Sequence, residues 1–263
     1  MIPATAPIQR PAGAKLLVVD ALGGLRHAER ADIVEYLRPG DLVVANDAAT
    51  IPASLWGIHE PSGEAIEIRL AGRDSLDCDN VGEVTAVVFG SGDYRTRTEA
   101  RPPPPPLLSG GRLLLGPLRA TVLRSLGHPR LLAIAFAGTP EEIWTGIARH
   151  GRPIQYAHVE EPLALWDVWT RIASLPVAFE PPSAGFLLDW QLIATLQKRR
   201  VQFTTLTHAA GLSSTGDPTL DRRLPLDEPY RLPENAVRAI GQTAAAGNRV
   251  IAVGTTVTRA LEH

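Results

Sequence analysis

The chain has 263 residues, 44% of them hydrophobic, a formal net charge of −2 and a single cysteine, Cys78. That length supports one large domain or two modest ones, and the composition is that of a globular protein. One cysteine excludes an intramolecular disulfide and a thiolate metal cluster. The balanced charge leaves nucleic-acid binding to a local basic patch, and without an apolar run of about 18 residues no membrane span is expected.

Met1-Ile2-Pro3-Ala4-Thr5-Ala6-Pro7 lacks a basic region followed by an apolar core, so no secretory signal is expected and a cytoplasmic location is the default. Residues 1–14, rich in proline and alanine, read as an extended lead-in. Lys15 to Asp20 is a continuous apolar run and predicts a buried strand, and Arg30 to Leu37 predicts a short helix closed by Pro39-Gly40-Asp41. Leu42 to Ala45 predicts a second buried strand that delivers Asn46-Asp47 at its end.

The character then changes. Glu64 to Leu70 alternates as a half-buried strand does, and Val84 to Phe89, Arg112 to Leu115, Ala120 to Leu123 and Leu131 to Phe136 are four more β runs between Gly- and Pro-rich turns. This is the pattern of a small barrel or sandwich. Arg101 and Pro102 to Pro106 predict an exposed polyproline-like stretch, a rigid loop more readily than a partner ligand. A helical pattern follows over Leu163 to Ile172, whose Trp166 and Trp169 could stack on a base but are expected in the core.

Pro181 to Asp217 reads as turn, helix, strand and polar loop. Leu188, Leu192 and Leu196 share one helix face, with Asp189 at its start and Lys198, Arg199 and Arg200 at its end, as the helix dipole favours. Val201 to Thr207 predicts a strand, and the loop after it holds His208, Gly211, Ser213, Ser214, Thr215 and Asp217, a recipe for ligand contact at a strand's carboxyl end. Asp221-Arg222-Arg223 is a phosphate contact or a solvated face. Pro233 opens a helix that Gly247-Asn248 closes; Arg249 to Val253 predicts a strand; and Gly254-Thr255-Thr256 before a final helix can hold an anionic group through backbone N–H groups.

There is no G-x-x-x-x-G-K-[ST] loop, no G-x-G-x-x-G and no G-x-S-x-G. No two of the seven histidines are spaced as a helical metal pair, so no metal is expected. Taken alone, the residues define an α/β protein with a β-rich insertion and polar loops at strand ends.

Three segments carry a resemblance. Leu42-Val43-Val44-Ala45-Asn46-Asp47-Ala48 with Ile51-Pro52-Ala53 is similar to V-V-N-D-T-x-V-I-P-A, Pro182-Ser183-Ala184-Gly185 to P-T-A-G, and Val250 to Arg259 to V-I-A-V-G-T-T-V-x-R. These belong to the S-adenosylmethionine:tRNA ribosyltransferase-isomerase family of queuosine biosynthesis, and their order and spacing match over nearly the whole chain. The resemblance implies an α/β body with a mixed sheet, residues 1–52 and 141–263, interrupted by an inserted antiparallel β-barrel domain over 53–140. It implies transfer and isomerisation of the ribosyl group of S-adenosylmethionine onto the aminomethyl group of a tRNA wobble deazaguanine, without a metal. Such chemistry needs a base beside the sulfonium and donors that help adenine leave.

On that resemblance Asp47 is expected as general base or ligand anchor, and His208 as proton donor or adenine contact. Asn46, Ser183, Ala184, Gly185, Gly211, Ser213, Gly254, Thr255, Thr256 and Arg259 are expected to bind substrate. All should converge on one pocket at an edge of the sheet. Several family residues differ here. Phe186-Leu187-Leu188 replaces Leu-His-Phe, Ala49 stands for an arginine, Leu206 to Ser213 replaces L-H-V-G-L-G-T-F, and Arg223 to Glu228 replaces a segment with M-H-S-E. The chain ends at Ala260-Leu261-Glu262-His263, where the family continues to an N-F-H region; its last residues are native or the start of a tag. The alternatives are therefore a diverged nucleoside- or RNA-binding relative without turnover, or a related transferase with another acceptor.

Overall fold

The computed structural model describes residues 14–263. The extended lead-in expected over residues 1–14 lies outside them except for Ala14.

Lys15–Val19 (β1) and Leu25–Glu29 (β2) form a separate antiparallel ribbon. This corrects the expectation of a buried strand: Leu17 and Val19 are 53% and 60% exposed, because a two-stranded ribbon cannot cover both faces of an apolar run. Arg30–Tyr36 is a 3₁₀ segment rather than an α-helix.

Leu42–Asn46 (β3) is buried along its whole length, and Ala48–Thr50 (β4) follows it. The chain then enters the barrel through Ser54–His59 (β5), Glu64–Gly72 (β6), Glu83–Phe89 (β7), Arg112–Leu115 (β8), Leu118–His128 (β9) and Leu131–Phe136 (β10). These six strands close in the order β10-β7-β6-β5-β8-β9, every pairing antiparallel. Closure leaves no strand edge open, and Leu55, Ile68, Val88, Leu113, Val122 and Ile134 fill the interior.

The chain leaves the barrel through Pro140–His150 (α1). There the Thr139 hydroxyl accepts from the Glu142 amide at 3.3 Å and Glu142 accepts from the Thr139 amide at 2.8 Å, a reciprocal cap. Leu165–Val168 (α2) is one turn only. So short a helix cannot turn a long apolar stripe inward, and the expected core placement of the tryptophans is corrected. Trp166 is 75% exposed and Trp169 41%, the latter donating its indole N–H to the Thr50 carbonyl at 2.7 Å.

Leu175–Ala178 (β11) pairs in parallel with β4. Trp190–Lys198 (α3) starts on Asp189, whose carboxylate accepts from the Leu192 amide. Gln202–His208 (β12), Pro218–Asp221 (α4), Tyr230–Arg231 (β13), Glu234–Ala245 (α5), Val250–Val253 (β14) and Thr255–Glu262 (α6) complete the chain. The main sheet has the order β13-β12-β3-β14. Strands β12 and β14 run parallel to β3, and β13 is antiparallel to β12, so the sheet is mixed.

The continuous apolar run of β3 follows from having both faces covered. Leu42 and Val44 pack with Val257 and Ala260 of α6 and Ile240 of α5, while Val43 packs with Leu196 of α3. At its amino end Asp41 is buried and accepts from the Arg38 amide at 2.7 Å and from the amide and Nε of Arg249 at 3.2 Å, tying β3 to β14. Among the described residues no helix is long and apolar enough to cross a membrane.

Candidate substrate cavity

Because β12 and β14 flank β3 in parallel, their carboxyl ends share one edge of the sheet, where α/β proteins place ligands. A cavity of about 830 Å³ opens there. Of the expected residues it is lined by Ser183, Ala184, Gly211, Ser213, Gly254, Thr255, Thr256 and Arg259. The Ser183–Leu187 3₁₀ turn thus meets the start of α6, although it precedes a helix rather than following a strand. Contact there is close. Gly254 has φ +93°, and a Cβ on it would lie 2.8 Å from the Ala184 Cβ. Only glycine adopts that conformation freely and admits the approach.

Four expected residues lie outside the lining. Asn46 is a clamp beneath it. Its Nδ2 donates to the His208 carbonyl at 2.9 Å and to the Thr256 hydroxyl at 3.3 Å, and its Oδ1 accepts from the amides of His208 and Ala48, both at 3.0 Å. Asp47 was expected in the cavity as a general base or ligand anchor. Its carboxylate instead accepts from the Thr205 hydroxyl at 2.8 Å and the Thr207 hydroxyl at 2.7 Å, side chains of β12. Alternation along a strand puts neighbouring side chains on opposite faces, so Asn46 and Asp47 cannot both look into one pocket. Gly185 is buried, and a Cβ there would meet the Thr170 methyl at 3.0 Å.

His208 lines an adjoining cleft with Glu228, Tyr230 and Arg259. Its ring stacks on Tyr230 with centroids 6.1 Å apart, and its Nε2 is 3.7 Å from Glu228. Burial, aided by the Arg259 charge, pushes its pKa down to about 4. The ring is therefore neutral near pH 7, and it lines this cleft rather than the cavity of the other expected residues.

The cavity also contains Tyr156, Glu180 and Glu228, which the sequence reading missed, and Asp221, which it offered as a phosphate contact or a solvated face. Glu180, just after β11, has its backbone N–H pointing to the Ala210 carbonyl at 3.3 Å. Its carboxylate accepts from the Tyr156 hydroxyl and from Ser213. Burial pushes the Glu180 carboxyl up, more than those hydrogen bonds pull it back. Burial and the Glu180 charge together push the Tyr156 phenol up as well. Glu228 accepts from the Gly211 amide at 2.6 Å and from Arg259. Its carboxyl is also pushed up, by burial first and then by the charge of Glu180. Asp221 accepts from the Thr215 amide and hydroxyl, both at 2.6 Å, and ties the 213–217 loop to α4. The one available signal was position: Glu180 is a lone carboxylate between a strand and the Pro182-Ser183-Ala184-Gly185 turn.

Behind Tyr156 lies the charged core of the barrel. Glu67 accepts from Arg69 Nε and from the Ser54 hydroxyl, both at 2.8 Å, and from Arg101, all of them buried. Burial alone would raise the Glu67 carboxyl, but the two guanidinium groups outweigh it and hold it below the usual range. The Arg69 guanidinium also lies 5.4 Å from the Tyr156 ring centroid and donates to the Gln155 carbonyl at 3.3 Å. Arg101, expected at an exposed stretch, is 3% exposed because it serves this cluster.

An α/β body whose parallel strands end on a ligand-sized cavity, with a closed barrel running between two of its strands, is the class of protein these elements define. The sequence pattern of the queuosine biosynthesis protein family matches residues 2–263, and the chain belongs to that family. It is 31% identical to the S-adenosylmethionine:tRNA ribosyltransferase-isomerase of Trichlorobacter lovleyi over 98% of its own length and 72% of that protein. The protein of the same description from Syntrophotalea carbinolica is 30% identical, with the same coverage of 98% and 72%. The crystal structure of S-adenosylmethionine tRNA ribosyltransferase from Thermotoga maritima aligns with 99% of this chain and 69% of its own, at 24% identity and a TM-score of 0.41.

Proposed function

We propose that this chain is an S-adenosylmethionine:tRNA ribosyltransferase-isomerase acting in queuosine biosynthesis. It moves the ribosyl group of S-adenosylmethionine onto the aminomethyl group of a 7-deazaguanine in tRNA and isomerises it, giving epoxyqueuosine with loss of adenine and methionine. Acting on tRNA, it works in the cytoplasm. The observation that carries this reading is the convergence of two of the three family-like segments, at Ser183-Ala184 and at Gly254 to Arg259, on one cavity with Gly211 and Ser213. A cavity of about 830 Å³ is of the size that holds a nucleoside-sized ligand.

In this reading the Thr255 and Thr256 amides and hydroxyls, at the positive end of α6, take the methionine carboxylate. Ser183 and Ser213 hydrogen-bond the nucleoside, and Arg259 holds Glu228 at the rim. Asn46 and Asp47 act from behind, fixing the ends of β3 and β12. The barrel, residues 53–140, is a domain that backs Tyr156 through Arg69. The sulfonium supplies the activation, so the reaction uses no metal.

The test is incubation of the protein with S-adenosylmethionine and tRNA carrying the deazaguanine amine. Adenine release is expected. No adenine, with a working family enzyme as control, overturns the reading, and calorimetric binding of S-adenosylmethionine without turnover would mark a non-catalytic relative.

A further inference from the structure

Glu180 is a carboxylate on the cavity wall whose hydrogen-bond donors, Tyr156 and Ser213, are both neutral. The groups acting on it come from three directions. Arg69 of β6 lies behind Tyr156 and is bonded to Glu67; Glu228, before β13, repels it and is itself paired with Arg259; Tyr156 covers it from the segment after α1. Each nearby guanidinium is thus engaged by another carboxylate. A carboxylate withdrawn from water with only neutral donors is poorly compensated, and a ligand cation on its cavity side supplies what the protein does not.

We propose that Glu180 receives the primary ammonium group of the acceptor base and takes one proton from it. This rests on the transferase reading above. The step is balanced within the pair. One N–H bond breaks, its electron pair stays on nitrogen as the lone pair of the neutral amine, and the proton forms an O–H bond on Glu180. Tyr156 and Ser213 hold the carboxylate in place while its charge changes, and a carboxyl shifted towards neutrality is a better proton acceptor than an ordinary one.

Two measurements test this. In the first, adenine release is followed for the wild type, Glu180→Gln and Glu180→Asp over a range of pH. Glu180→Gln should lower kcat near neutral pH by on the order of 10²–10⁴-fold, with the Kd for S-adenosylmethionine unchanged, and the deficit should shrink as rising pH deprotonates the amine in solution. A deficit of less than about threefold, or one that does not vary with pH, overturns the proposal.

The second does not need turnover. Calorimetry compares 7-aminomethyl-7-deazaguanine with its 7-hydroxymethyl analogue. The wild type should prefer the amine by about tenfold or more, Glu180→Gln should lose the preference and Glu180→Asp should keep part of it. No preference in the wild type, or one retained in Glu180→Gln, overturns the proposal. A wild type that releases no adenine but prefers the amine through Glu180 would sink the transferase reading alone.

Discussion

The barrel interior and the cavity wall each bury a glutamate, and the two are built in opposite ways. Glu67 sits between Arg69 and Arg101 and is held ionised. Glu180 is held by a phenol and a serine and is biased towards its neutral form. Glu67 is fully buried and Glu180 partly so, and the charge of their partners differs. Where arginines surround the carboxylate, proton affinity is low and the group is structural. Where neutral donors surround it, proton affinity rises and the group is suited to exchange a proton with a ligand.

The comparison breaks most visibly at Glu67. Glu67→Ala should destabilise the protein by about 3–5 kcal/mol in urea unfolding, because it leaves two guanidinium groups buried without a counter-ion. Asp41→Asn is the half-open counterpart. Asp41 is buried but Arg249 is 46% exposed, so a smaller loss of about 1–2 kcal/mol is expected, read in the same way. Tyr156→Phe should cost about 1 kcal/mol. It also removes a hydrogen bond that lowers the Glu180 carboxyl, so the acid limb of the adenine-release profile should move to higher pH.

The smallest effects are differences in pH slope. Glu67 is depressed from 4.5 in the fold, so its contribution is present above that value and fades as pH falls through its native pKa. Glu180 is raised from 4.5, so it weakens the fold above its native pKa and that penalty is relieved as pH falls through it. Stability differences between the wild type and Glu67→Gln, and between the wild type and Glu180→Gln, should therefore change with pH in opposite senses. His208 follows the buried-base rule. Its pKa falls from 6.5 to about 4, so relative to His208→Gln the wild type should lose stability as pH drops from about 6.5 to 4. Thermal melts across that window check this.

What the sequence disclosed depended on local pattern. The uninterrupted run of Leu42 to Ala45 announced a doubly covered central strand, because that pattern follows directly from both faces being buried, whereas the alternation in Glu64 to Leu70 announced a barrel strand but not its burial: its polar face, with Glu67 and Arg69, is buried too, as an ion pair. Lys15 to Val19 has the same apolar run, yet it forms an exposed ribbon; its strand partner among the described residues, Leu25 to Glu29, is set by tertiary placement that no local pattern encodes. In the cavity, Gly254 and Ser183 were legible through motifs. Tyr156 and Glu180 were not, since each is ordinary in its own neighbourhood and they meet only across 24 residues of sequence separation. Asp47 misled for a related reason. A carboxylate at a strand end signals a ligand site, but which face it takes depends on a period of two, and here that face is occupied by Thr205 and Thr207.

The neighbouring pair Asn46-Asp47 has a grammar of its own. Asn46 must speak in both directions, giving hydrogens to the His208 carbonyl and the Thr256 hydroxyl and receiving them from two amides. Asp47 needs only to listen, since both of its partners are hydroxyls that can donate. Reversing the two residues would keep size and composition almost unchanged. It would set a carboxylate oxygen against a carbonyl oxygen at position 46, and at position 47 would replace one of two acceptors with an amide that must itself find an acceptor. The order of the two letters is therefore a polarity instruction, written at the point where two strands and the final helix are joined.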